Sequence, residues 1–234
     1  IFSFMIDNEV ILRNPLARIK SLREEKSEEV CALSSQEVQI LLSKTKQVYP
    51  DFYPLLFTAI FTGLRQGELM ALTWDSINWV KKQITIDKNY THGRLGTPKT
   101  GKIRKVDVSL ELVKVLKEWR LACPKGEKNL LFPNGDGEYQ DANNMIKRRY
   151  KPALNRAGIN YIKFHGLRHT YASLLLAKGV PMKYVQHQLG HSSIKMTMDL
   201  YTHLLPETNE QCVNALDNIV EKTQEPIEIR KFGT

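Results

Sequence analysis

One stretch of this chain, residues 83–108, carries the two-residue pattern of a β-sheet, and it constrains the fold more than any other feature. β-Favouring residues such as Ile84, Ile86 and Val106 partly alternate with polar ones there, and the turn-rich segment 91–98 separates them. Along the rest of the chain, apolar residues recur at the spacing of amphipathic helices. We therefore predict a mainly α fold with a small antiparallel β-sheet, which is an α+β class.

Capping and stop signals predict where the helices begin and end. Ser34 and Glu37 have the spacing of a capping box, and Gly63 is a suitable C-cap for an apolar helix that begins near Asp51. The other predicted helices cover about residues 66–72, 109–121, 141–157, 166–178, 181–189, 193–203 and 207–221. At 234 residues, the chain is long enough to bury one substantial core.

The N-terminal residues are predicted to belong to a different domain. Residues 1–20 are expected to form one amphipathic helix that ends near Asn14 and Pro15, since the position before a proline disfavours helix. Residues 20–29 are charged and poor in apolar side chains, as a linker is. Because the sequence starts without Met, we expect a piece of a longer protein. The predicted segments are 1–26 (tail of a preceding domain plus linker), 27–222 (main domain) and 223–234 (C-terminal tail).

Cysteine usage and hydropathy indicate a cytoplasmic protein. Cys31, Cys123 and Cys212 are far apart and odd in number, so neither a disulfide framework nor a zinc knuckle is predicted. No apolar run approaches the length of a membrane span. The N-terminus lacks a basic start and carries Asp7 and Glu9 within its apolar stretch, so we predict no signal peptide.

Positive charge is concentrated in one part of the chain. The formal net charge is +9, and residues 91–170 hold 17 Lys and Arg against seven Asp and Glu. Such an excess attracts polyanions, of which nucleic acid is the obvious candidate, although a merely soluble basic surface has the same composition. Charge alone leaves both interpretations open.

Two segments place an arginine at a predicted helix start. Arg65 and Glu68 are three residues apart and share a helix face, and a local ion pair of little energetic value is the simplest interpretation of these two alone. His165 and Arg168 open a later helix, where outward-facing backbone N–H groups favour a bound anion.

Two further segments carry a histidine and a tyrosine. His191 follows a glycine stop and precedes a serine-capped helix, and Tyr201 lies near the end of that helix. The four-residue spacing of His165 with His169, and of His187 with His191, is compatible with zinc. Neither pair carries the Glu of the metalloprotease HExxH motif, so a zinc hydrolase is not predicted. His169 and His187 are interpreted as ordinary helix residues.

Taken together, these segments resemble the tyrosine recombinase, or phage integrase, family. The resemblance covers about residues 30–205, in the order and approximate spacing of the family. It rests on Arg65 in TGLRQGEL, His165 and Arg168 in HGLRHT, His191 in LGHSS and Tyr201 in YTH.

The resemblance implies a catalytic role for each of these residues. Tyr201 would attack a DNA phosphate and become covalently joined to the 3′ end of the cut strand. A phenol with a pKa of about 10 needs cationic neighbours, and Arg65 and Arg168 would grip the phosphate oxygens in forked geometry. His191 would add a hydrogen bond, and His165 would accept the phenolic proton.

The resemblance also implies a lysine on the hairpin of the sheet as the general acid for the 5′-hydroxyl. Lys99 matches that position best, and Lys102 is the alternative because the hairpin register is not defined by sequence. Glu68 is expected to orient an arginine or a histidine, and His203 to support the nucleophile. No metal or cofactor is implied.

The partners implied are double-stranded DNA attachment sites, a homotetramer on the DNA, and accessory DNA-bending or directionality factors, with no membrane. Residues 1–20 would be the last helix of a core-binding domain. Further DNA contacts are predicted for Arg94, Lys102, Arg104, Lys147, Arg148 and Arg149.

Two other functions remain as alternatives. A type IB topoisomerase shares the tyrosine nucleophile, although the wording of the LGHSS and YTH motifs favours recombination. A non-catalytic DNA-binding regulator would fit the basic charge and the turn at residues 179–181 between two helices. Binding alone does not require the combination of Arg65, Arg168 and Tyr201 with its lysine and histidines.

Overall fold

A computed structural model describes residues 2–15, 32–98, 101–191 and 193. The chain divides into two units, Ile1–Val30 and Cys31–Thr234. Within the first unit, helix α1 covers Phe2–Asp7. All the other elements described below belong to the second unit. The three predicted segments, 1–26, 27–222 and 223–234, stay a prediction.

The second unit is mainly helical, with short strands between its fourth and fifth helices. Its α-helices are α2 (Ser35–Val48), α3 (Tyr53–Thr62), α4 (Gln66–Ala71), α5 (Leu110–Ala122), α6 (Ala142–Met145), α7 (Lys151–Arg156), α8 (Gly166–Ala177) and α9 (Met182–Leu189). A 3₁₀ turn covers Trp74–Ser76 and a π turn covers Ile146–Tyr150. The strands are β1 (Ile77–Asn78), β2 (Gln83–Ile86), β3 (Asn89–Thr91), β4 (Arg94–Gly96) and β5 (Arg104–Asp107).

The predicted antiparallel sheet is confirmed, with three strands in the order β1-β2-β5. Ile84 pairs with Val106 in the centre of this sheet, and both side chains are fully buried. The segment 91–98, predicted as a turn only, also contains strand β4, which pairs with β3 as a second, two-stranded sheet. His92 and Gly93 both have positive φ angles, as the two-residue loop of a twisted hairpin requires.

Helix α3 forms the centre of the core. Its side chains are apolar on every face, and Leu55, Leu56 and Ile60 are at most 1% exposed. A helix that is apolar all round must be surrounded by other elements, and α2, α5 and α8 pack against it. Gly63 ends α3 in the left-handed conformation (φ 60°), as predicted.

Two helical predictions differ in detail from the structure. The helix predicted over 141–157 consists of α6, the π turn and α7 in succession. Pro152 has no N–H to donate to the preceding turn, and the wider π turn lies immediately before α7. The capping box of Ser34 and Glu37 at the start of α2 is confirmed, with Ser34 Oγ accepting from the Glu37 N–H at 3.2 Å.

The single helix predicted over residues 1–20 is wrong in length, because α1 ends at Asp7. The Asn8 side chain donates to the Phe4 carbonyl at 2.8 Å, and Glu9 has a φ of 57°. A side chain that bonds the backbone in this way competes with helix continuation. Residues 16–30 and the helices predicted over 193–203 and 207–221 lie outside the described residues, apart from Ser193.

Candidate active site

The most constrained side chain of the site is that of Arg168, in the first turn of α8. It is 2% exposed, although arginine is rarely buried. Its Nη1 donates to the Gly63 carbonyl at 2.8 Å and its Nη2 to the Leu189 carbonyl at 2.6 Å. Gly63 ends α3 and Leu189 ends α9, so one guanidinium joins three helices and is held in a single orientation.

Two histidines lie close together at the start of α8. His165 is the exposed N-cap residue, and His169 is half-buried one turn later. Their rings meet edge to face with centroids 5.1 Å apart. The Thr170 hydroxyl accepts from the Leu33 N–H at 3.0 Å and donates to the Gly166 carbonyl, which anchors the turn that carries Arg168.

Arg65 is held at the start of α4 by Glu68. The Glu68 carboxylate accepts from the Arg65 backbone N–H and from its Nη1, both at 2.9 Å. The Arg65 side chain remains 21% accessible, whereas that of Glu68 is fully buried. The pair predicted from spacing is therefore a buried anchor for a partly accessible guanidinium, and not a surface ion pair.

Glu68 has a second partner, Arg104 at the start of β5. Arg104 Nη1 and Nη2 donate to the two carboxylate oxygens of Glu68 at 2.9 and 2.7 Å. Burial alone would raise the pKa of Glu68, but the hydrogen bonds and charge of Arg104, together with those of Arg65, outweigh burial and lower it. Glu68 is thus charged at neutral pH, between two arginines.

Gly67 explains why α4 can lie so close to the second sheet. A Cβ atom at Gly67 would come within 2.3 Å of the Asn89 Oδ1 and 2.8 Å of the Tyr90 carbonyl oxygen on β3. Any side chain would therefore push β3 away from the helix that positions Arg65. Gly67, the second glycine of the TGLRQGEL segment, is thus required by the packing of α4 against β3.

His191 follows α9, which ends at Gly190 in the left-handed conformation (φ 65°). Its backbone is held by Gln186, whose carbonyl accepts from the His191 N–H and whose side chain donates to the His191 carbonyl. Burial, followed by the charges of Arg168 and Arg65, lowers the pKa of His191 to about 4. Those electrostatic neighbours place His191 in one cluster with both arginines, and its imidazole is neutral at neutral pH.

His169 also belongs to this cluster, although its sequence pattern indicated only an ordinary helix residue. Burial first, and then the charges of His165 and Arg168, lower the pKa of His169 to about 4. Its four-residue spacing from His165 was the available signal. The structure therefore brings together Arg65, Glu68, His165, Arg168, His169 and His191, and adds Arg104 through Glu68.

The two histidines with depressed pKa values make stability dependent on pH. Their pKa is about 4 in the folded protein against an ordinary 6.5, so between these values the unfolded chain binds protons that the folded chain does not. We expect the free energy of unfolding to fall as pH decreases through this window, by at most roughly 1.4 kcal/mol per pH unit for each histidine. Urea denaturation over a pH series measures the effect.

Single substitutions separate the two contributions. His169→Gln and His191→Gln should each flatten the pH dependence, whereas a substitution of the exposed His92 to Gln should leave it unchanged. A pH dependence that is equally steep in all three variants would contradict the assignment to His169 and His191.

The predicted DNA contacts fall into different environments. Arg94, Lys102, Lys147 and Arg148 are exposed. Arg149 is half-buried, pairs with Asp51 at 2.8 Å and lies over the Tyr49 ring. Arg104 departs from the prediction, because it is 9% exposed and its guanidinium points to Glu68 in the interior. Lys99, Tyr201 and His203 lie outside the described residues.

The described part of the chain contains neither a metal-binding cluster nor a membrane-spanning helix. Among residues 2–15, 32–98, 101–191 and 193, no group of three or more His, Cys, Asp or Glu residues is placed to hold a metal ion. Within these residues there is also no helix with the length and apolar character of a membrane span.

Comparison with known sequences agrees with this geometry. Residues 22–208 match the phage integrase family. The chain is 34% identical to a XerC-like tyrosine recombinase of Caldanaerobacter subterraneus, over 93% of this chain and 63% of the relative. It is 29% identical to the ICEBs1 integrase of Bacillus subtilis, over 94% of this chain and 63% of that protein. The chain thus spans about 63% of the length of these relatives.

Solved structures show the same fold. The Tn1549 transposon integrase, solved in complex with a circular intermediate DNA, superposes with a TM-score of 0.71 at 22% identity, over 93% of this chain and 75% of that one. The XerA recombinase superposes with a TM-score of 0.64 at 26% identity, over 84% of this chain and 66% of that one. With the family match over residues 22–208, we conclude that the chain belongs to the phage integrase family.

Proposed function

We propose that this chain is the catalytic part of a site-specific DNA recombinase, an integrase that cuts and rejoins strands through a covalent 3′-phosphotyrosine intermediate. The observation that carries the proposal is the cluster around the buried Arg168, in which the charges of Arg65 and Arg168 both act on His191. Fixed cations and hydrogen-bond donors of this kind stabilise the charge that develops on a phosphodiester during attack.

Each group of the cluster has a distinct task in this proposal. Arg65 and Arg168 bind the non-bridging phosphate oxygens, to which planar guanidinium groups are suited. His191, with a pKa of about 4, is neutral and supplies a hydrogen bond rather than a charge. Glu68 keeps Arg65 oriented and leaves part of its guanidinium accessible.

The chemical step exchanges one phosphoester bond for another. The phenolic oxygen of Tyr201 bonds to phosphorus, and the bond from phosphorus to the 5′ oxygen breaks. His165 accepts the phenolic proton, and Lys99 donates a proton to the leaving 5′ oxygen. A 5′-hydroxyl of the partner strand later attacks the phosphotyrosine, so the bond energy is conserved without ATP. Arginine and lysine supply the positive charge that a metal pair supplies in other phosphoryl-transfer enzymes.

The substrate proposed is a double-stranded attachment site of a phage or another mobile element. Supporting this, relatives of the chain include the ICEBs1 integrase and the integrase of Staphylococcus phage L54a. The reaction exchanges strands between two duplexes, and we propose a homotetramer on the DNA, accessory DNA-bending or directionality factors, and a cytoplasmic location. Exposed Arg94, Lys147 and Arg148 are proposed to contact the DNA backbone.

Trapping the covalent intermediate tests the proposal. The protein is incubated with a library of nicked duplexes of randomised sequence. After cleavage, the short fragment that carries the free 5′-hydroxyl diffuses away, so the strand cannot be rejoined. We expect a protein–DNA adduct that survives denaturing electrophoresis, forms in the presence of a chelator, and maps to the peptide that contains Tyr201. An adduct on another side chain, no adduct from any sequence, or dependence on stoichiometric zinc would overturn the proposal.

The identity of the general acid gives a separate prediction. Lys99→Ala should lower the cleavage rate of an ordinary duplex by roughly 10²-fold or more. The same variant should cut a duplex with a 5′-bridging sulfur at nearly the wild-type rate, because a thiolate leaves without a proton. Lys102→Ala is the matched control, since Lys102 is an exposed lysine three residues further along the chain. Rescue of Lys102→Ala in place of Lys99→Ala would assign the acid to Lys102.

A further inference from the structure

We propose that Arg104 is a positioning residue for DNA cleavage. It holds Arg65 in place through Glu68. Through its contacts with the end of α9, it also holds the turn formed by Gly190 and His191, here called the His191 turn. The proposal rests on the function proposed above. It replaces the DNA contact predicted for Arg104 from sequence, and it gives the start of β5 a role in setting the distance between two groups that bind the phosphate.

The contact with Glu68 fixes one side. Both carboxylate oxygens of Glu68 accept from Arg104, at 2.9 and 2.7 Å. One of those oxygens also accepts from Arg65 Nη1, and the other from the Arg65 backbone N–H. Glu68 therefore transmits the position of Arg104 to the backbone and to the side chain of Arg65.

The contact with α9 fixes the other side. Arg104 Nε donates to the Gln188 carbonyl at 3.3 Å. A Cβ atom at Gly190 would lie 2.7 Å from Arg104 Cδ and 2.9 Å from its Nε, so the glycine before His191 rests directly on the arginine stem. A displacement of Arg104 would consequently move the turn that carries His191.

Strand β5 gives Arg104 a rigid base. At the other end of the strand, Asp107 accepts from the Gln188 side chain at 2.9 Å and from the Tyr184 hydroxyl at 3.1 Å. Gln188 is 1% exposed, and its side-chain oxygen accepts from the Asp107 N–H. Helix α9 is thus bound to both ends of β5, and Arg104 cannot shift without the strand.

The chemistry of arginine explains why this residue type is needed. The guanidinium donates through Nη1 and Nη2 to the Glu68 carboxylate and through Nε to the Gln188 carbonyl, and the Arg104 side chain is 8% exposed. Lysine carries one ammonium and cannot reproduce the planar two-oxygen contact with Glu68 together with the bond to Gln188. The charge of Arg104 is also compensated by the Glu68 carboxylate, whereas Arg168 donates to uncharged carbonyls.

The decisive experiment compares Arg104→Lys with Arg120→Lys, an exposed arginine over the Trp74 ring. Single-turnover cleavage of the nicked duplexes should fall by roughly 10²-fold in Arg104→Lys and remain unchanged in Arg120→Lys. The imidazole NMR resonance of His191 in the DNA-free protein should move in the first variant only. An unmoved resonance or an unchanged cleavage rate would overturn the proposal.

A double-mutant cycle separates positioning from general destabilisation. If Arg104 acts through Arg65, Arg104→Lys should cost much less in an Arg65→Ala background than in the wild type. Equal losses in both backgrounds would indicate a merely structural role. Should Arg104→Lys fail to fold, the double variant Glu68→Gln with Arg104→Gln removes both buried charges together. This double variant should fold and should cleave DNA more slowly than the wild type. Cleavage at the wild-type rate by the folded double variant would overturn the proposal.

The salt dependence of DNA binding tests whether Arg104 contacts a phosphate directly. On random-sequence duplex DNA, Arg104→Gln should leave the slope of log affinity against log salt unchanged, whereas loss of exposed Arg94 in Arg94→Gln should reduce it by about 0.9. A reduced slope for Arg104→Gln would return Arg104 to the DNA surface and overturn the proposal. If the wild-type protein forms no adduct but the His191 resonance still moves, the proposed function fails and the contact between Arg104 and the His191 turn stands.

Discussion

Replacing Arg168 by lysine should lower the rate of DNA cleavage by roughly 10³-fold. The guanidinium donates to the Gly63 and Leu189 carbonyls, and in the proposed function its remaining N–H groups donate to the phosphate. A lysine ammonium is a compact point charge that cannot make both carbonyl bonds from one fixed plane. Single-turnover cleavage of the nicked duplexes measures the loss, and DNA binding at low salt should be retained.

Arg156→Lys provides the matched control, because Arg156 ends α7 and lies over the Tyr49 ring. This variant should cleave at the wild-type rate. Circular dichroism and thermal unfolding of Arg168→Lys establish that the variant is folded before its rate is compared. A folded Arg168→Lys protein that cleaves within about threefold of the wild type would remove Arg168 from the site, since a lost donor to the developing charge costs far more.

Tyr201→Phe should abolish the covalent adduct completely and leave the affinity for DNA unchanged. Only the phenolic oxygen is removed, so the shape and the positive charge of the site remain. The measurement is denaturing electrophoresis after incubation with the nicked duplex library, with binding followed by fluorescence anisotropy. The expected loss exceeds that for any positioning residue, because no nucleophile remains.

The control for this variant is Tyr161→Phe, in which an exposed tyrosine beneath Lys151 loses the same atom. It should form the adduct at the wild-type rate. Residual adduct from Tyr201→Phe, mapped to a neighbouring side chain, would show that the nucleophile had been assigned wrongly.

Local signals in the sequence predicted several helix ends, whereas the residues of the site were assigned through the family resemblance. The capping box of Ser34 and Glu37 and the helix stop at Gly63 depend on residues that are close together in sequence. Such signals can therefore be recognised without knowledge of the fold. The three-residue spacing of Arg65 and Glu68 also indicated a shared face, but by itself it indicated a surface ion pair, and the structure buries Glu68.

Features that depend on distant contacts could not be predicted in this way. The partners of Arg104 lie 36 and 84 residues away, and no spacing rule connects such positions. Lys102 and Arg104 both lie in a basic stretch, but one is exposed and the other is buried. The hairpin of β3 and β4 was also missed, because three-residue strands with partly or fully exposed side chains carry little hydrophobic alternation.

The bonds of Arg168 to the ends of α3 and α9 have a consequence for the dynamics of the protein. Carbonyls at a helix C-terminus carry partial negative charge, so two helix ends compensate one interior cation. Helix α9 has only eight residues, and a local opening of it would release Arg168 and His191 at the same moment. Sub-global unfolding of this short helix would therefore inactivate the site well before the α3 core melts, and amide hydrogen exchange at residues 186–191 would report the event.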